Sequence, residues 1–416
     1  MKKKKIFVIS DHPFSPSGVG SQTKYFIQSL ISTGDYSFVC FGGAIKHADY
    51  KPQKIEPYGD DWVVYPVDNY GTQETVRSVI RTERPDIVWF MTDPRFFPWL
   101  WEIEDEIRSL VPMVYYHVWD NYPYPDFNKI WYDSCDHVAC ISKVTHDIVK
   151  TVSPTVDSGY LPHAVDSSVF KPLDDADILE LKSKASVPQD KFIVFWNNRN
   201  ARRKHPGTLI FWFKQFLDKV GHDKAQLIMH TDPRDVNGPD LVAQINKLGL
   251  INGEVQFSKD KINPDQLAAL YNMSDVTVNI SDAEGFGLAT LESLSCATPI
   301  IVNMTGGLQE QVTNGEEWFG VGIQPSSKSV IGSQDIPYIY EDRINEDDFI
   351  NALEKIYKMS RKERRELGLR GREHVQKNYN FEKLQASWRH LIESIHEKFG
   401  SWDTRKNYKN WEMIEV

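Results

Sequence analysis

Two glutamates eight residues apart, Glu284 and Glu292, have the types and spacing to bind hydroxyl groups of a ligand. Between them runs a glycine turn that contains Gly285, Phe286, Gly287 and Leu288. A predicted strand ends before this turn and a helix follows it, so free backbone N–H groups should lie at the carboxyl edge of a parallel sheet. The amides of Gly287 to Ala289 are candidates to hold a diphosphate. Glu292 should reach diols near the turn, and Glu284, on the loop, should lie beside the reacting part of a ligand held there.

A basic cluster occupies segment 196–205, directly after the first predicted strand of the second half. Arg199 could bind phosphate oxygens in a bidentate manner and Lys204 as a point charge, so the pair could stabilise a departing diphosphate in place of a metal ion. The alternative is a solvated basic loop, which we expect to hold for Arg202 or Arg203. Taken alone, Glu284 fits a charge that complements the helix dipole better than a site residue, and Glu292 an exposed helical residue, so it is the coincidence of both clusters that favours a ligand site.

Two segments of the first half are weaker candidates. Gly18 and Gly20 lie between the first strand and the first helix, where small residues let backbone approach a ligand, although such turns often contain glycine without one. His117 could orient or polarise a sugar hydroxyl at the end of a later strand. Trp119 and Tyr122 offer flat faces for an acceptor sugar ring, although aromatic residues more often belong to a core.

The elements that must position these residues alternate between strand and helix patterns, which is typical of parallel sheets covered by helices. The first series of predicted strands is 6–10, 37–41, 62–67, 86–91, 112–117 and 137–141, with a helix over 21–32. The second series is 192–196, 226–230, 254–257, 276–280 and 299–302, with helices over 208–220 and 266–271. Segment 161–187, which is rich in proline and acidic residues, is interpreted as a linker. Apolar stripes predict helices from about 346 onward.

Composition excludes several classes of protein. The chain has 416 residues, 41% of them hydrophobic and 25% charged, which predicts two ordered domains. Its apolar runs fall short of the ~20 residues of a membrane span, and the stretch after the N-terminal lysines is too short for a signal peptide. A net charge of −10 argues against a general nucleic-acid binder. Four widely spaced cysteines indicate inert thiols in a reducing compartment, so we expect a cytoplasmic protein.

Four of these features together resemble one protein family. They are the motif Glu-Gly-Phe-Gly-x4-Glu at 284–292, the Arg199 and Lys204 pair, the segment Leu161–Asp166 with Phe170–Pro172, and Thr305–Glu310. In combination they are similar to the family-4 group of retaining GT-B glycosyltransferases. The resemblance covers most of the chain and is most specific between about residues 192 and 315.

The resemblance implies an α/β fold of the GT-B type, in which two Rossmann-like domains face a central cleft and a C-terminal helix crosses back to the first domain. We expect an acceptor domain at 1–165, completed by about 381–416, and a donor domain at 166–380. The implied activity is the retaining, metal-independent transfer of a sugar from a UDP- or GDP-linked donor to an acceptor hydroxyl in glycan or glycoconjugate synthesis. No cofactor is implied.

The resemblance also implies roles for individual residues. Glu292 would bind the ribose, Arg199 and Lys204 the diphosphate, and Glu284 with the Phe286–Leu288 backbone the donor sugar and phosphates. His117 would lie at the reaction centre, and the Gly18–Gly20 loop would approach donor phosphate and acceptor. Three positions depart from the family pattern: Asn198 and His205 stand where glycine is usual, and His230-Thr231 where Gly-x-Gly is common. These departures weaken inference about the base and the phosphate geometry more than about the reaction class.

Three other functions fit parts of the pattern. A nucleotide-sugar epimerase of the same fold would also bind a diphosphate, but it needs a different set of acids and bases. A GT-A transferase would hold a metal ion with Asp-x-Asp, but Asp175-Ala176-Asp177 lies in the predicted linker rather than at a strand end. A catalytically silent sugar- or nucleotide-binding module stays open, as do the oligomeric state and peripheral contact with a membrane.

Overall fold

The computed structural model describes residues 3–409, and the chain divides into two compact units. The first unit comprises residues 3–119, 124–164 and 381–409. The second comprises residues 120–123 and 165–380. The short segment 120–123, which we expected in the first domain, thus groups with the second unit. Residues 410–416, which we expected in the C-terminal helix, lie outside the described residues.

The first unit is built on an eight-stranded sheet. Its strands are β1 (Lys4–Asp11), β2 (Tyr36–Gly43), β3 (Gln53–Ile55), β4 (Gly59–Pro66), β5 (Ile87–Met91), β6 (Met113–His117), β7 (His137–Cys140) and β8 (Ser158–Tyr160). Its helices are α1 (Gly18–Ile31), α2 (Gln73–Glu83), α3 (Pro98–Trp101), α4 (Glu104–Arg108), α5 (Lys129–Asp133), α6 (Lys143–Val152) and, from the end of the chain, α15 (Phe381–Phe399). The strand order is β3-β4-β2-β1-β5-β6-β7-β8, with only the β3–β4 pair antiparallel.

The C-terminal helix α15 completes the core of the first unit. Its Trp388 side chain is fully buried, and the ring lies 4.7 Å from the ring of Phe26, 5.9 Å from that of Trp89 and 4.9 Å from that of Tyr116, measured between centroids. Helix α1 and strands β5 and β6 supply these partners, so the helix closes one face of the sheet. Because helices cover this parallel sheet, its central strands are continuous apolar runs rather than alternating ones.

The second unit is built on a six-stranded parallel sheet and one hairpin. Its strands are β9 (Phe192–Asn197), β10 (Ala225–His230), β11 (Val255–Ser258), β12 (Val276–Asn279), β13 (Ile300–Asn303), β14 (Gly320–Ile323), β15 (Ser327–Ile331) and β16 (Ile339–Arg343). Its helices are α7 (Asp175–Lys184), α8 (Pro206–Val220), α9 (Leu241–Lys247), α10 (Pro264–Met273), α11 (Leu288–Ser295), α12 (Leu308–Val312), α13 (Glu346–Tyr357) and α14 (Arg361–Asn378). The parallel strands follow the order β11-β10-β9-β12-β13-β14, which is the Rossmann order.

Two parts of the second unit differ from the sequence prediction. Residues 175–184 form helix α7 within the segment interpreted as a linker, and they place Asp175 and Asp177 in its first turn. Strands β15 and β16 form an antiparallel hairpin that the sequence analysis did not predict. Strand β15 is mostly exposed, and the two buried positions of β16 are Ile339 and Glu341, so neither strand shows the buried apolar pattern by which the other strands were found.

All four cysteines are free and buried. Among residues 3–409, every helix is too short or too polar to span a bilayer. The same residues hold no group of three or more His, Cys, Asp or Glu side chains placed to bind a metal ion.

Candidate active site

The candidate site lies at the point where the strand order of the second unit reverses. Strand β9 pairs with β10 on one side and with β12 on the other, so the loops that follow β9 and β12 leave the sheet toward opposite helical layers. Ligands of open α/β sheets bind in the crevice that this reversal creates at the carboxyl ends of the strands. Lys204 follows β9 and Glu284 follows β12.

Lys204 and Glu284 form an ion pair in this crevice, and their side chains are only 9% and 13% exposed. The same Oε2 atom of Glu284 accepts a hydrogen bond of 3.3 Å from Nδ2 of Asn279. Burial raises the pKa of the Glu284 carboxyl, but the charges of Lys204 and Arg203 outweigh burial and hold this pKa below its ordinary value. Glu284 is therefore an ionised acceptor with a cation beside it.

The backbone around Glu284 is held by the loop that follows β13. The amide of Gly307 donates to the carbonyl oxygen of Glu284 at 3.0 Å. Gly306 has a φ of +49°, and a Cβ atom there would lie 1.9 Å from that same carbonyl oxygen. Only glycine fits such a close approach, so Thr305–Glu310, which contributed to the family resemblance, fixes the position of Glu284.

Helix α11 begins beside this pair without a side-chain cap. Its N-cap residue is Gly287, which has a φ of +92° and makes no capping hydrogen bond. The hydroxyl of Thr290 bonds back to the Gly287 carbonyl at 2.8 Å, which braces the turn. Phe286 is buried with its ring against Tyr379, so only its backbone is placed to meet a ligand. The turn thus presents uncapped N–H groups of the kind that bind phosphate.

Glu292 lies one turn into α11 and takes part in a chain of hydrogen bonds. Its Oε2 atom accepts from the Tyr271 hydroxyl at 2.8 Å, and that hydroxyl accepts from Nδ2 of Asn197 at 2.9 Å. Burial raises the pKa of Glu292 to about 7, although the bond from Tyr271 opposes the shift. Neither Tyr271 nor Asn197 was a predicted site residue, and the position of Asn197 at the end of β9 was the one available signal.

Arg199 and Lys204 do not act as the pair that the spacing suggested. The Nε atom of Arg199 donates to Asp235 at 2.7 Å, and the arginine side chain is 66% exposed. The course of the backbone explains why the two cations have different partners. Arg199 meets Asp235, which lies in the loop after the neighbouring strand β10, whereas a turn at 202–204 directs Lys204 toward Glu284. The expected contact of Arg199 with a diphosphate requires the Asp235 pair to open, and it stays a prediction.

Arg203 is closer to the pair than Arg199 is. Its Nη1 atom donates to the carbonyl oxygen of Ala283 at 2.5 Å, next to Glu284 in the chain. Its neighbour Arg202 makes a bidentate pair with the buried Glu341 of β16, at 2.6 and 3.0 Å. Both arginines are exposed, as expected for a basic loop, but each also has a fixed partner, so the interpretation of Arg202 or Arg203 as a merely solvated charge needs correction.

Asp120 is a further acid at this site that the sequence analysis missed. It belongs to segment 120–123 of the second unit, which is held by the hairpin through a bond of 3.0 Å from Nδ2 of Asn121 to the Tyr340 carbonyl. Burial, with the Glu284 carboxylate nearby, raises the pKa of Asp120 to about 6, although the charges of Arg203 and Lys204 oppose the shift. The neighbouring Trp119 and Tyr122 marked this segment as a candidate for the site, but nothing in the sequence indicated that Asp120 lies near Lys204 and Glu284.

His205 occupies the position where the family usually has glycine. Its backbone conformation explains why glycine is usual there. Its φ and ψ are 54° and 39°, in the left-handed region that glycine enters without cost. The imidazole compensates, because Nε2 lies 2.5 Å from the buried carboxylate of Asp282. Arg343 of β16 contacts the same carboxylate at 3.1 Å.

The glycines of the first unit lie at the start of α1. Gly18 is exposed, so a ligand can approach its backbone. The amide of Gly20 donates to the capping hydroxyl of Ser17 at 2.9 Å, and a Cβ atom at Gly20 would lie 2.2 Å from Oγ of Ser15. Gly20 is therefore required by the packing of its own loop, and its contact with a donor stays a prediction.

His117 lies at the end of β6 and is fully buried. Its Nε2 atom is 2.7 Å from the Tyr132 hydroxyl, and its Nδ1 atom is buried without a hydrogen-bond partner among residues 3–409. Burial lowers the pKa of the imidazole to about 3. At neutral pH His117 is thus an uncharged ring that can orient a hydroxyl but does not supply an imidazolium.

The two aromatic acceptor candidates fall in different units. Trp119 belongs to the first unit, is 6% exposed and lies edge-on to Phe127. Little of its face is open to a sugar, so it serves chiefly as a core residue. Tyr122 is partly exposed in the second unit, where its carbonyl accepts from the Tyr340 amide of the hairpin. Their roles with an acceptor stay predictions.

Comparison with known proteins gives this arrangement a family context. Residues 177–374 match the model of the glycosyl transferases group 1 family. The chain is 22% identical over 246 residues to N-acetyl-alpha-D-glucosaminyl L-malate synthase of Bacillus anthracis. This aligned region covers 58% of the chain and 60% of that relative. It is 31% identical over 159 residues to D-inositol 3-phosphate glycosyltransferase 1 of Catenulispora acidiphila, which covers 36% of each. The chain thus matches under two thirds of both curated relatives.

Solved structures with the same fold cover nearly the whole chain. Sucrose-phosphate synthase of Thermosynechococcus elongatus superposes with a TM-score of 0.74 at 19% identity, over 95% of this chain and all of that one. The Anabaena protein HepE, solved with UDP and glucose, superposes with a TM-score of 0.70 at 16% identity, over 94% of this chain and all of that one. These neighbours establish the GT-B fold.

Proposed function

Because residues 177–374 belong to the glycosyl transferases group 1 family, on a GT-B fold, we propose that the protein is a glycosyltransferase that uses a nucleoside-diphosphate sugar. It transfers the sugar to an acceptor hydroxyl with retention of configuration and without a metal ion. The observation that carries the proposal is the Lys204–Glu284 pair beside the uncapped start of α11, at the reversal point of the sheet. We expect a cytoplasmic enzyme of glycan or glycoconjugate synthesis.

The cations of this crevice provide the charge that such a reaction needs. As the glycosidic bond breaks, negative charge develops on the diphosphate, and fixed donors in a buried site stabilise it without reorganising. Lys204 would supply a point charge, Arg203 a second cation, and the amides at Gly287–Ala289 the helix dipole. These groups together take the part that a divalent ion plays elsewhere.

The two glutamates have different tasks in this proposal. Glu284 is held ionised by its neighbours, so its carboxylate accepts hydrogen bonds from hydroxyl groups of the donor sugar. Glu292 accepts from the Tyr271 hydroxyl on one oxygen and has a second oxygen for the ribose diol. The pair would thus fix the donor at both ends of the diphosphate.

The reaction follows as a front-face substitution. The acceptor hydroxyl attacks the anomeric carbon from the side on which the nucleoside diphosphate departs, and a phosphate oxygen of that leaving group takes the proton. The protein contributes positioning and charge stabilisation rather than a covalent nucleophile. Asp120, with a pKa of about 6, stands close enough to Lys204 and Glu284 to influence their charge during this step.

Calorimetric titration with UDP and GDP, each with and without EDTA, tests the proposal. UDP comes first because HepE was solved with it. We expect micromolar binding of one nucleotide that EDTA does not change, and loss of that binding in Lys204→Met. Lys214→Met is the matched control, because Lys214 pairs with Asp218 on the surface of α8 in the same unit.

Turnover separates the competing functions. Incubation with the corresponding sugar donor and hydroxyl acceptors should release the nucleoside diphosphate, and NMR of the product should show the anomeric configuration of the donor. Isomerisation of the donor without release would instead identify an epimerase. Binding without turnover on any acceptor would identify a silent module, and binding that requires a divalent ion would contradict the metal-independent mechanism.

A further inference from the structure

A second cavity lies in the second unit at the opposite edge of its sheet. It has a volume of about 890 Å³, within the usual range of small-molecule sites. Its lining includes Phe192 at the start of β9, Lys224 just before β10, Asp275 just before β12 and Pro299 just before β13. The amino ends of the strands meet here, whereas Lys204 and Glu284 lie at the carboxyl ends. The cavity is therefore separate from the candidate active site.

Lys182 of α7 is the unusual residue of this cavity. It lines the cavity, it is only 8% exposed, and its ammonium makes no hydrogen bond or ion pair with any residue in the described part of the chain. Burial lowers the pKa of Lys182, and the charges of Arg361 and Arg364 add to this effect against the opposing charge of Asp275. The side chain of Lys182 is mostly buried while its ammonium is open to the cavity, and a cation in such a place without a partner is costly, so a protein normally keeps one only where an anion meets it.

The acids of the cavity do not serve as that anion. The negative charge of Asp275 acts to raise the pKa of Lys182, but this carboxylate already accepts from Nη2 of Arg364 at 3.0 Å and from the Ile193 amide at 2.8 Å. Asp175 is mostly exposed and pairs with Arg361 at 3.0 Å. Both of these acids are thus committed to arginines, and the two other acids of the lining, Asp190 and Glu366, are exposed and make no ion pair with Lys182 among residues 3–409.

Helix α14 adds further unsatisfied donors. The Nε atom of Arg364 is buried and has no hydrogen-bond partner among residues 3–409. Arg365 lies next to it and donates one bond of 3.0 Å, to the Leu173 carbonyl, which leaves most of its guanidinium donors for another acceptor. Over the whole lining, seven cationic side chains face four acidic ones. The cavity is therefore positively charged overall, although the whole chain carries −10.

From these observations we propose that the cavity is a second ligand site, which binds a small molecule carrying a phosphate or diphosphate group, with Lys182 and the arginines of α14 as its phosphate ligands. Lysine and arginine together provide the point charge and the forked donors that phosphate recognition uses. The cavity is larger than a bare phosphate, and part of its wall is apolar, formed by Ile178, Phe192, Met273, Tyr357 and Met359. An uncharged body attached to the phosphate would pack on that wall.

Calorimetric titration of the full chain with inorganic pyrophosphate tests the proposal. The variants are Lys182→Met, which keeps the length and removes the charge, and Lys184→Met, which removes an exposed charge from the same helix. Any pyrophosphate bound near Lys204 is common to both variants and cancels in the comparison. We expect Lys182→Met to weaken one class of binding site at least tenfold, and Lys184→Met to leave it unchanged. Equal isotherms for the two variants would overturn the proposal.

Thermal unfolding gives an independent readout that also controls for folding. Without ligand, Lys182→Met should unfold at a temperature at least as high as wild type, because it removes a buried unpaired charge. With pyrophosphate, the unfolding temperature of Lys184→Met should rise further than that of Lys182→Met. A rise of the same size in both variants would contradict the assignment of Lys182 to the site.

Two sources of phosphate can be separated by a sedimentation experiment with vesicles. Retention of wild type and Lys184→Met, but not Lys182→Met, on vesicles that contain phosphatidic acid would support the site and identify its ligand as a lipid headgroup. Pyrophosphate binding that depends on Lys182, without retention on vesicles, would support a soluble phosphorylated ligand.

Discussion

Replacement of Glu292 by glutamine should stabilise the protein at alkaline pH while it weakens donor binding. Burial raises the pKa of Glu292 from an ordinary 4.5 to about 7. The unfolded chain therefore releases this proton at a lower pH than the folded protein does. Between these two pKa values the folded state binds more protons, so its stability falls as pH rises and the full loss is present above pH 7. Glutamine keeps the shape of the protonated acid and cannot ionise.

The size of the effect follows from the two pKa values, which differ by about 2.5. Because a difference of one corresponds to about 1.4 kcal/mol, the ionised carboxylate costs the folded state at most about 3.5 kcal/mol above pH 7. Glu292→Gln should thus approach wild-type stability at pH 4.5 and exceed it by up to that amount at pH 8. The Tyr271 hydroxyl can still donate to the amide oxygen, so no buried donor loses its acceptor.

Urea unfolding of wild type and Glu292→Gln at several pH values between 4.5 and 8 measures this difference. Glu373→Gln is the control, since Glu373 is an exposed glutamate of α14 in the same unit. In parallel, calorimetry with the nucleotide that wild type binds should show about a ten- to hundredfold loss of affinity, as expected for a hydrogen bond to a charged group. A Glu292→Gln variant no more stable than wild type at pH 8 would refute the reasoning from burial. A stable variant with unchanged affinity would refute only the contact with ribose.

Two further predictions concern the loop after β9. His205→Ala and His205→Gly both lose the contact with Asp282, but only glycine relieves the strain of the left-handed backbone. In urea unfolding the glycine variant should therefore be more stable than the alanine variant by about 1 kcal/mol. The opposite order of stability would contradict the assignment of strain to this residue. Arg203→Met should weaken nucleotide binding more than Arg199→Met in matched calorimetric titrations, because Arg203 lies near Glu284 while Arg199 pairs with Asp235; a larger loss for Arg199→Met would mean that the Asp235 pair opens on binding.

The regular strands and helices of both units were predictable because the positions of their apolar residues in the sequence indicate which positions are buried. The strand predicted at 86–91 is Ile87–Met91, and the helix predicted at 208–220 is Pro206–Val220. The hairpin at 327–343 escaped prediction because β15 is mostly exposed and a glutamate, Glu341, takes one of the two buried positions of β16, so neither strand carries an apolar pattern. Helix α7 was assigned to a linker because prolines flank a short, weakly amphipathic and acidic segment.

The site was predictable only where its residues lie close together in one continuous sequence motif. The strand–turn–helix pattern placed Glu284 and Glu292 at the carboxyl end of β12, and the structure puts them there. Spacing did not reveal which cation meets Glu284, because a single turn at 202–204 decides the direction of each side chain. Asp120 reaches the site from a segment more than 70 residues before β9, and no local pattern marks such a long-range placement.

The position of α15 in the chain imposes an order on synthesis. Trp388 fills the space between Phe26, Trp89 and Tyr116, yet the ribosome makes it only after every residue of the second unit. The apolar space that Trp388 fills in the first unit therefore stays unoccupied while residues 165–380 are synthesised. The half of the protein that is made first is the half whose core is finished last. An apolar surface of this kind, exposed during folding, makes an intermediate prone to aggregation.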